Sequence, residues 1–314
     1  MASLGDTNQM LFFLDLNHSS QNKEGVYSAT FTLVNKCSYT VWPATLSGAG
    51  TAQLPATTTG FALLPNNTTA ITIPPSWSGR VWARTLCSTG PAGNFSCATG
   101  DCGTGTVQCS GSGAAPPATL AEFTLNGAGG LDFYDVSLVD GYNLPLLIRP
   151  VGGSGSGNCT ATGCLVDLNG SCPAQLRVVS KSVVVGEGEE GVACKSACDA
   201  FGAPQYCCSG AYSTPDMCKP SSYSEYFKNA CPSAYSYAYD DATSTFTCHG
   251  ADYVITFCPT ALATDKSSGP QLPEASPISP EEDYLNSMAQ LIPLSTTTII
   301  GLIVMAIWAS LYQL

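Results

Sequence analysis

The stretch Gly93-Asn-Phe-Ser-Cys97-Ala-Thr-Gly-Asp-Cys102-Gly-Thr-Gly-Thr-Val-Gln-Cys109 holds three cysteines around a Thr-Gly-Asp core. It belongs to a set of 16 cysteines that runs from Cys37 to Cys258. An even number of cysteines spread in this way is typical of a protein that folds in an oxidising compartment. No two cysteines are three positions apart, and the only histidines are His18 and His249, so zinc sites are hard to build. The cysteines therefore predict disulfide bonds and no metal site.

The composition is that of a weakly charged, acidic chain rich in turn-forming residues. Among 314 residues 11 are Lys or Arg and 23 are Asp or Glu, and charged residues make up 11% of the chain. Abundant Gly, Ser, Thr and Pro favour short strands joined by many turns. Without a Lys/Arg cluster to neutralise phosphates, the chain is not expected to bind nucleic acid. A neutral carbohydrate, a cationic protein or no charged partner fits this balance, and we expect a monomer.

Alternation of apolar and polar residues predicts strands in the region 29–259, which contains every cysteine. The predicted strands cover residues 29–35, 81–86, 121–125, 134–139 and 253–258. Residues 163–232 contain eight of the cysteines and few apolar runs, so disulfides must replace a large core there. Short helices are expected around residues 192–200 and 222–230. These patterns predict a mainly β fold.

The two flanks of this region differ from it in composition. Residues 1–28 are polar, and their short apolar run is interrupted by Asp15, so they form at best an atypical signal or leader. Residues 260–290 form a Pro/Ser-rich spacer, and residues 291–314 form an apolar tail. Small residues, a polar spacer and an apolar tail in this order are typical of a lipid-anchor signal, with Asn286 or Ser287 as the attachment residue. A retained membrane anchor and a tail without function remain alternatives.

N-x-S/T triplets agree with export of the chain. They begin at Asn17, Asn66, Asn67, Asn94, Asn158 and Asn169. We expect the glycans among Asn66, Asn67, Asn94 and Asn169. Because the triplets at Asn66 and Asn67 overlap, not all of these asparagines can be modified.

The stretch from Gly93 to Cys109 resembles the diagnostic motif of the thaumatin family, and four further blocks resemble that family in the same order. These blocks are Asn35-Lys-Cys-Ser-Tyr-Thr-Val-Trp-Pro43, Ala121-Glu-Phe123, Asp132-Phe-Tyr-Asp-Val-Ser-Leu-Val-Asp-Gly141 and Tyr235-Ser-Tyr-Ala-Tyr-Asp-Asp241. The resemblance covers residues 29–259. It implies a flattened β-sandwich core, a disulfide-rich loop domain at 163–232 and a small hairpin domain at 87–109, and the tail fits a glycosyl-phosphatidylinositol-anchored type.

The resemblance also implies a disulfide pattern, which the spacing of 16 cysteines leaves undecided. The implied pairs are Cys37–Cys258, Cys87–Cys97, Cys102–Cys109, Cys159–Cys248, Cys164–Cys231, Cys172–Cys194, Cys198–Cys207 and Cys208–Cys218. The first pair would join the first strand to the last. Each native bridge typically stabilises a protein by about 2–4 kcal/mol, mainly by restricting the unfolded chain.

A cleft with one Arg, one Glu and three Asp is a further feature that the resemblance implies. The corresponding residues here are Arg80, Glu122, Asp135, Asp140 and Asp240. Two of these assignments have close alternatives, because Arg84 lies on the same strand face as Arg80 and Asp241 follows Asp240.

Grouped carboxylates create a negative field that attracts cations, and they accept hydrogen bonds from sugar hydroxyls. A suitably spaced pair can also cleave a glycosidic bond, with Glu122 and Asp140 as the catalytic candidates. The alternative reading is that these residues are surface carboxylates or structural partners of Arg80. In that reading Asp140 is a turn residue before Gly141.

Three functions remain open on this basis. The first is a secreted, antifungal plant defence protein that binds β-1,3-glucan of fungal walls, at the plasma membrane surface or in the cell wall. The second is a weak endo-β-1,3-glucanase, and the third is a non-enzymatic structural or signalling module of the cell surface. Other chemistry has little support, because His249 is the only histidine after residue 28 and no phosphate-binding or dinucleotide-binding glycine motif is present. No cofactor is expected.

Overall fold

The computed structural model describes residues 28–154, 159–180 and 190–260. The predicted leader, the spacer beyond residue 260 and the tail with Asn286 and Ser287 therefore lie outside the described residues, as do Asn17 and Asn158. In the described ranges no helix is both long and apolar enough to cross a membrane.

Short strands make up most of the regular structure. Those in the described residues are β1 (Ala29–Asn35), β2 (Trp42–Ser47), β3 (Thr68–Ile73), β4 (Ser78–Thr89), β5 (Phe95–Thr99), β6 (Leu120–Thr124), β7 (Asp132–Ser137), β8 (Leu146–Val151), β9 (Thr162–Cys164), β10 (Arg177–Ser180), β11 (Glu190–Cys194), β12 (Phe246–Cys248) and β13 (Asp252–Phe257). The α-helices found there are α1 (Ala197–Phe201), α2 (Pro204–Cys207), α3 (Ser222–Ala230) and α4 (Asp241–Ser244).

Two sheets pack face to face as a β-sandwich. One sheet has the strand order β3-β1-β13-β8-β9, and the other has the order β12-β7-β6-β4-β2, with β5 paired to the end of β4. β1 and β13 are parallel neighbours, so the two ends of the family-like region meet inside one sheet. This arrangement confirms the predicted mainly β sandwich.

Aromatic side chains from both sheets fill the space between them. The ring centroid of Phe31 on β1 lies 4.3 Å from that of Phe123 on β6, and Tyr253 on β13 lies 5.1 Å from Phe123. All three side chains are buried. Burying a large apolar side chain of this kind stabilises the fold by about 1.5–3 kcal/mol, so this cluster holds the sheets together.

Two of the predicted elements coincide with observed ones. Residues 29–35 coincide with β1, and residues 222–230 coincide with α3. The helix predicted at 192–200 is wrong in its first half, because Glu190–Cys194 pairs with β10 as a strand. The helix α1 begins only after Ser196, whose side chain accepts a hydrogen bond from the Asp199 backbone N–H and so acts as the N-cap.

All eight implied disulfides are present, which confirms the predicted pairing. Cys37 and Cys258, just beyond β1 and β13, close a sequence separation of 221 residues. Between residues 163 and 232 the disulfides join short strands and helices that bury few large apolar side chains. Tyr226 and Phe227 of α3 are among the buried ones, so these two rings pack inside the loop domain.

Replacing Cys37 and Cys258 together with alanine should lower the free energy of unfolding by about 2–5 kcal/mol, because the unfolded chain loses its longest covalent closure. The matched change at Cys208 and Cys218, which are 10 residues apart, should cost less, since a short loop restricts the unfolded chain less. Denaturant unfolding of the non-reduced proteins measures both values. A larger loss for the short loop would contradict this account.

Candidate functional site

Three charged residues form a row across neighbouring strands of the six-stranded sheet. Arg80 on β4 lies opposite Glu122 on β6, and Glu122 lies opposite Asp135 on β7. Alternate residues of a strand point to opposite faces. The neighbours Val81 and Ala121 are fully buried in the sandwich core, so the charged row lies on the outer face of the sheet.

Asp140 reaches the same place from the turn that follows β7. The next residue, Gly141, has a φ of +85°, and a Cβ atom there would lie 2.7 Å from the carbonyl oxygen of Cys194 and 2.7 Å from Cβ of Pro117. Only glycine fits this backbone without strain. Asp140 is therefore a turn residue, as its place before Gly141 predicted. The same turn brings its carboxylate to Arg80.

Arg80 is the positive centre of the row. Its Nε lies 3.9 Å from Oε1 of Glu122, and its Nη1 lies 3.6 Å from Oδ2 of Asp140. All three side chains keep between 38% and 40% of their surface exposed. Ion pairs this long and this exposed contribute about 0–1 kcal/mol each, so a ligand can compete for these groups at little cost.

Asp135 is a carboxyl group of the groove whose pKa is raised far above the usual range. Its Oδ1 atom is buried without a hydrogen-bond partner. Burial, with the nearby charges of Glu122 and Asp241, raises the pKa of Asp135 to about 8. Burial also raises the pKa of Glu122, against the opposing effect of Arg80. Asp135 therefore holds a proton at neutral pH and can donate a hydrogen bond.

The groove residue contributed by the segment after α3 is Asp241, not the predicted Asp240. Oδ2 of Asp240 lies 2.9 Å from Nζ of Lys228 and accepts hydrogen bonds from the backbone N–H and the hydroxyl of Ser236, each at 3.0 Å. These internal partners occupy Asp240. Asp241 lines the groove, where it accepts a hydrogen bond from the hydroxyl of Tyr235 at 2.9 Å.

Arg84, the alternative to Arg80, has a structural position. It is fully buried, and its guanidinium donates hydrogen bonds to the carbonyl oxygens of Trp42 at 3.1 Å and Val107 at 2.7 Å. Asp101 is similarly occupied, because it accepts the backbone N–H groups of Cys97 and Gly103. Arg84 and Asp101 therefore hold the hairpin region against the sheet and do not face the groove.

The groove has a volume of about 430 Å³. It is lined by Arg80, Leu120, Glu122, Asp135, Ser137, Val139, Asp140, Tyr235, Ala238 and Asp241. A second depression of about 250 Å³ shares the charged row and continues toward Ser78 and Thr124. Within the described ranges no group of His, Cys, Asp and Glu is arranged to hold a metal ion. The site instead offers carboxylates, a guanidinium, hydroxyls and short apolar surfaces, which suits a neutral polyhydroxylated ligand.

Tyr235 is a groove residue that the sequence pattern did not single out. Its backbone is bonded to β7, since its N–H donates to the carbonyl oxygen of Val136 and its carbonyl oxygen accepts the N–H of Leu138, each at 2.8 Å. This fixes the wall of the groove opposite β6. The available signal was its place at the start of the Tyr-Ser-Tyr-Ala-Tyr-Asp-Asp block.

The predicted glycan sites differ in their surroundings. Asn66, Asn67 and Asn94 are exposed and lie outside the strands and helices. The side-chain amide of Asn169 instead donates to the carbonyl oxygen of Asn143 at 3.0 Å, and its Oδ1 atom is buried. The geometry thus favours the first three positions for a bulky modification.

These features define a class of protein: a disulfide-stabilised β-sandwich of an oxidising compartment with an acidic groove on one sheet. The family model described as "Thaumatin family" matches residues 35–259, and the chain belongs to this family. It is 56% identical over 241 residues to "Thaumatin-like protein 1" of Arabidopsis thaliana, covering 75% of this chain and 88% of that protein.

Two further relatives extend this comparison. The chain is 55% identical over 234 residues to "Pathogenesis-related protein 5" of Arabidopsis thaliana, covering 74% of this chain and 92% of that protein. It is 51% identical over 238 residues to "Glucan endo-1,3-beta-glucosidase" of Prunus avium, covering 75% of this chain and 92% of that protein. The chain is therefore a thaumatin-like protein with pathogenesis-related plant relatives, and its disulfides are those of a secreted protein.

The raised pKa of Asp135 predicts a stability that falls as pH rises. The folded state holds the proton up to about pH 8, whereas the unfolded carboxyl loses it near pH 3.8. The free energy of unfolding therefore falls as the pH rises between these two values. Asp135→Asn should remove the contribution of Asp135 to this slope, which is at most about 1.4 kcal/mol per pH unit, and should be more stable than the wild type at pH 8. Denaturant unfolding between pH 4 and pH 8 measures the difference.

The matched control is Asp216→Asn, a change at an exposed carboxylate of the loop domain. It should leave the slope in place. A wild-type slope identical to that of Asp135→Asn would show that Asp135 ionises normally.

Proposed function

We propose that this chain is a secreted, defence-related thaumatin-like protein that binds β-1,3-glucan of fungal walls in the acidic groove and thereby acts against fungi. The observation that carries this proposal is the row of Arg80, Glu122 and Asp135, joined by Asp140 in one open groove. A neutral glucan has no charge to attract, so its recognition depends on hydrogen bonds that match its hydroxyls in number and direction.

The groove supplies both kinds of hydrogen-bonding group that a sugar requires. Glu122 and Asp140 accept hydrogen bonds from sugar hydroxyls, and hydrogen bonds to charged groups contribute about 1.5–3 kcal/mol each. Arg80 and the protonated Asp135 donate hydrogen bonds to sugar oxygens. The apolar side chains of Val139 and Ala238, both accessible in the groove lining, offer surface to the C–H faces of the ring.

The relatives and the charge of the chain agree with this choice of ligand. The Prunus avium relative carries a name that refers to cleavage of 1,3-β-glucan. Between residues 29 and 258 the chain has 9 basic and 15 acidic residues, so attraction to anionic membranes is weak. A wall polysaccharide is a better match for this surface than a phospholipid headgroup.

A second function, weak endo-β-1,3-glucanase activity, is favoured by the state of Asp135. A protonated carboxyl beside the Glu122 carboxylate is the arrangement that glycoside cleavage uses. The Asp135 proton would pass to the glycosidic oxygen as its bond to the anomeric carbon breaks. Glu122 would take a proton from the water that bonds to that carbon, so bond cleavage and water addition balance. Asp140, the other catalytic candidate of the sequence, lies beside Arg80 and would orient the sugar.

The third alternative is a non-enzymatic structural or signalling module at the cell surface. A protein that neither binds nor cleaves β-1,3-glucan would correspond to it.

We also propose that the chain is held at the outer face of the plasma membrane through a lipid on Asn286 or Ser287. This anchor rests on the order of small residues, spacer and apolar tail.

Glu122→Gln and Asp140→Asn should each weaken binding to insoluble β-1,3-glucan about tenfold or more, because each removes a charged hydrogen-bond acceptor. The full oxidised chain, purified from a secreting host, is tested in a pull-down with increasing amounts of glucan. Asp216→Asn is the control and should bind as the wild type does. Wild-type protein that stays in solution would contradict the proposed ligand.

Release of reducing sugar in the same samples separates binding from cleavage. A glucanase should release sugar in the wild type, and Asp135→Asn should reduce that release at least about a hundredfold, because a general acid contributes about 10²–10⁴-fold to the rate. Binding without sugar release would leave the binding function alone.

The anchor is tested by treating membranes that carry the full chain with a phospholipase specific for glycosyl-phosphatidylinositol. The protein should appear in the soluble fraction. Retention on the membrane after treatment would favour a spanning tail and contradict the lipid anchor.

A further inference from the structure

Lys228 of α3 makes a set of contacts with the segment that forms the groove wall. Its Nζ atom lies 2.9 Å from Oδ2 of Asp240, and it donates to the carbonyl oxygen of Ala234 at 3.1 Å and to the hydroxyl of Ser244 at 2.8 Å. Only 25% of the Lys228 side chain and 12% of the Asp240 side chain are exposed. A shielded ion pair with this many hydrogen bonds holds its partners far more firmly than the open pairs of Arg80.

The contacts of Lys228 lie on both sides of Asp241. Asp240 precedes it, and Ser244 ends α4, the four-residue helix that Asp241 begins. Ser244 is itself fully buried and donates to the carbonyl oxygen of Ala234 at 3.2 Å. The helix is too short to hold its own position, so these contacts, together with the hydrogen bond from the Tyr235 hydroxyl, hold Asp241 in place.

The backbone on the other side of the groove wall is held independently. Tyr235 is bonded to β7 through its N–H and its carbonyl oxygen, whatever Lys228 does. Its hydroxyl meets Asp241 at 2.9 Å and also contacts the hydroxyl of Thr245. Releasing Lys228 would therefore remove the contacts on both sides of Asp241 while leaving Tyr235 and the sheet in place.

We propose that Lys228 is a positioning residue of the groove, which acts through Asp240 and Ser244 to hold the carboxylate of Asp241 beside Asp135. The loop domain, through α3, thereby sets the charge of the groove on the β-sandwich. The consequence for glucan binding rests on the proposed function, whereas the effect on Asp135 does not.

The titration of Asp135 reports the position of Asp241 directly. The charged groups nearest to Asp135 are Glu122 from β6 and Asp241 from α4. The hydroxyl of Tyr235 lies beside Asp241. Arg80 and Asp140 lie beyond Glu122. Asp241 raises the pKa of Asp135. If Asp241 moves away, the pKa of Asp135 falls.

The sign of this change separates positioning from a simple effect of charge. Lys228→Met removes a positive charge, and losing a cation by itself raises the pKa of a nearby carboxyl. Loss of the positioning contact lowers it. Ser244→Ala changes no charge and removes one hydroxyl that Lys228 uses, so any shift it causes comes from position alone.

The experiment follows the carboxyl carbon of Asp135 by NMR as a function of pH in the full, oxidised protein. From about 8 in the wild type, Lys228→Met should lower the midpoint toward the value of Asp241→Asn. Ser244→Ala should lower it less. In the Asp241→Asn background, Lys228→Met should produce no further fall, because the group that it positions is already neutral.

Two outcomes would overturn the proposal. One is an unchanged or raised midpoint in Lys228→Met with intact disulfides, and the other is an equal fall in the Asp241→Asn background. Removing one partner of a shielded ion pair destabilises the fold. If Lys228→Met does not fold, Ser244→Ala decides alone, by whether its midpoint falls. The control is Lys195→Met, since Lys195 also pairs with an aspartate of the loop domain, Asp199 at 3.6 Å, and its loss should leave the midpoint unchanged.

The glucan pull-down provides a second reading. Lys228→Met should bind insoluble β-1,3-glucan as weakly as Asp241→Asn does, and Lys195→Met should bind as the wild type. If the wild type binds no glucan, the proposed function fails while the Asp135 titration still tests Lys228. If the wild type binds and Lys228→Met binds equally well although its midpoint has fallen, the link from Lys228 to the ligand is wrong.

Discussion

The pairing register of β4, β6 and β7 is the constraint from which the groove follows. Because side chains alternate along a strand, a slip of one residue would exchange the two faces of a strand. On β4 and β6 such a slip would place Arg80 and Glu122 in the core and expose Val81 and Ala121, both fully buried here. Burial of the apolar side chains therefore holds the register, and the register holds the charged row. No separate interaction is needed to bring Arg80, Glu122 and Asp135 together.

Covalent closure supports this arrangement where the core is thin. The disulfide Cys37–Cys258 joins the chain just beyond two central strands of one sheet. In the loop domain, several disulfides join short elements that have few large apolar side chains. The disulfide Cys164–Cys231 directly follows α3, and this helix carries the partly buried Lys228. The loop domain can thus present Lys228 to the groove wall, although it lies outside the sandwich core.

The ionisable groups of the groove lie in two environments, one open to solvent and one buried. Arg80 stays near the surface with Glu122 and Asp140, where solvent and the guanidinium compensate the carboxylates. Asp135 lies deeper, with one oxygen buried and unpartnered. Burial there disfavours the charged carboxylate, so the protonated form is favoured. A single cluster of acidic residues therefore offers both hydrogen-bond acceptors and a donor. This combination is what the proposed sugar ligand requires.

The sequence by itself determined the features that depend on local pattern. Alternation predicted β1, the cysteine count predicted an oxidised fold, and the motif around Cys97 predicted the family and its disulfide pairing. Tertiary structure alone decided that Asp241 rather than Asp240 faces the groove, that Arg84 is buried, and that Lys228 reaches the groove wall. Neighbouring residues at the start of a helix differ by about 100° in direction, so identical side chains at adjacent positions carry no signal of which one meets a distant strand. That choice is made by the contacts of Asp240 and Ser244 with Lys228 of α3, which no local pattern contains.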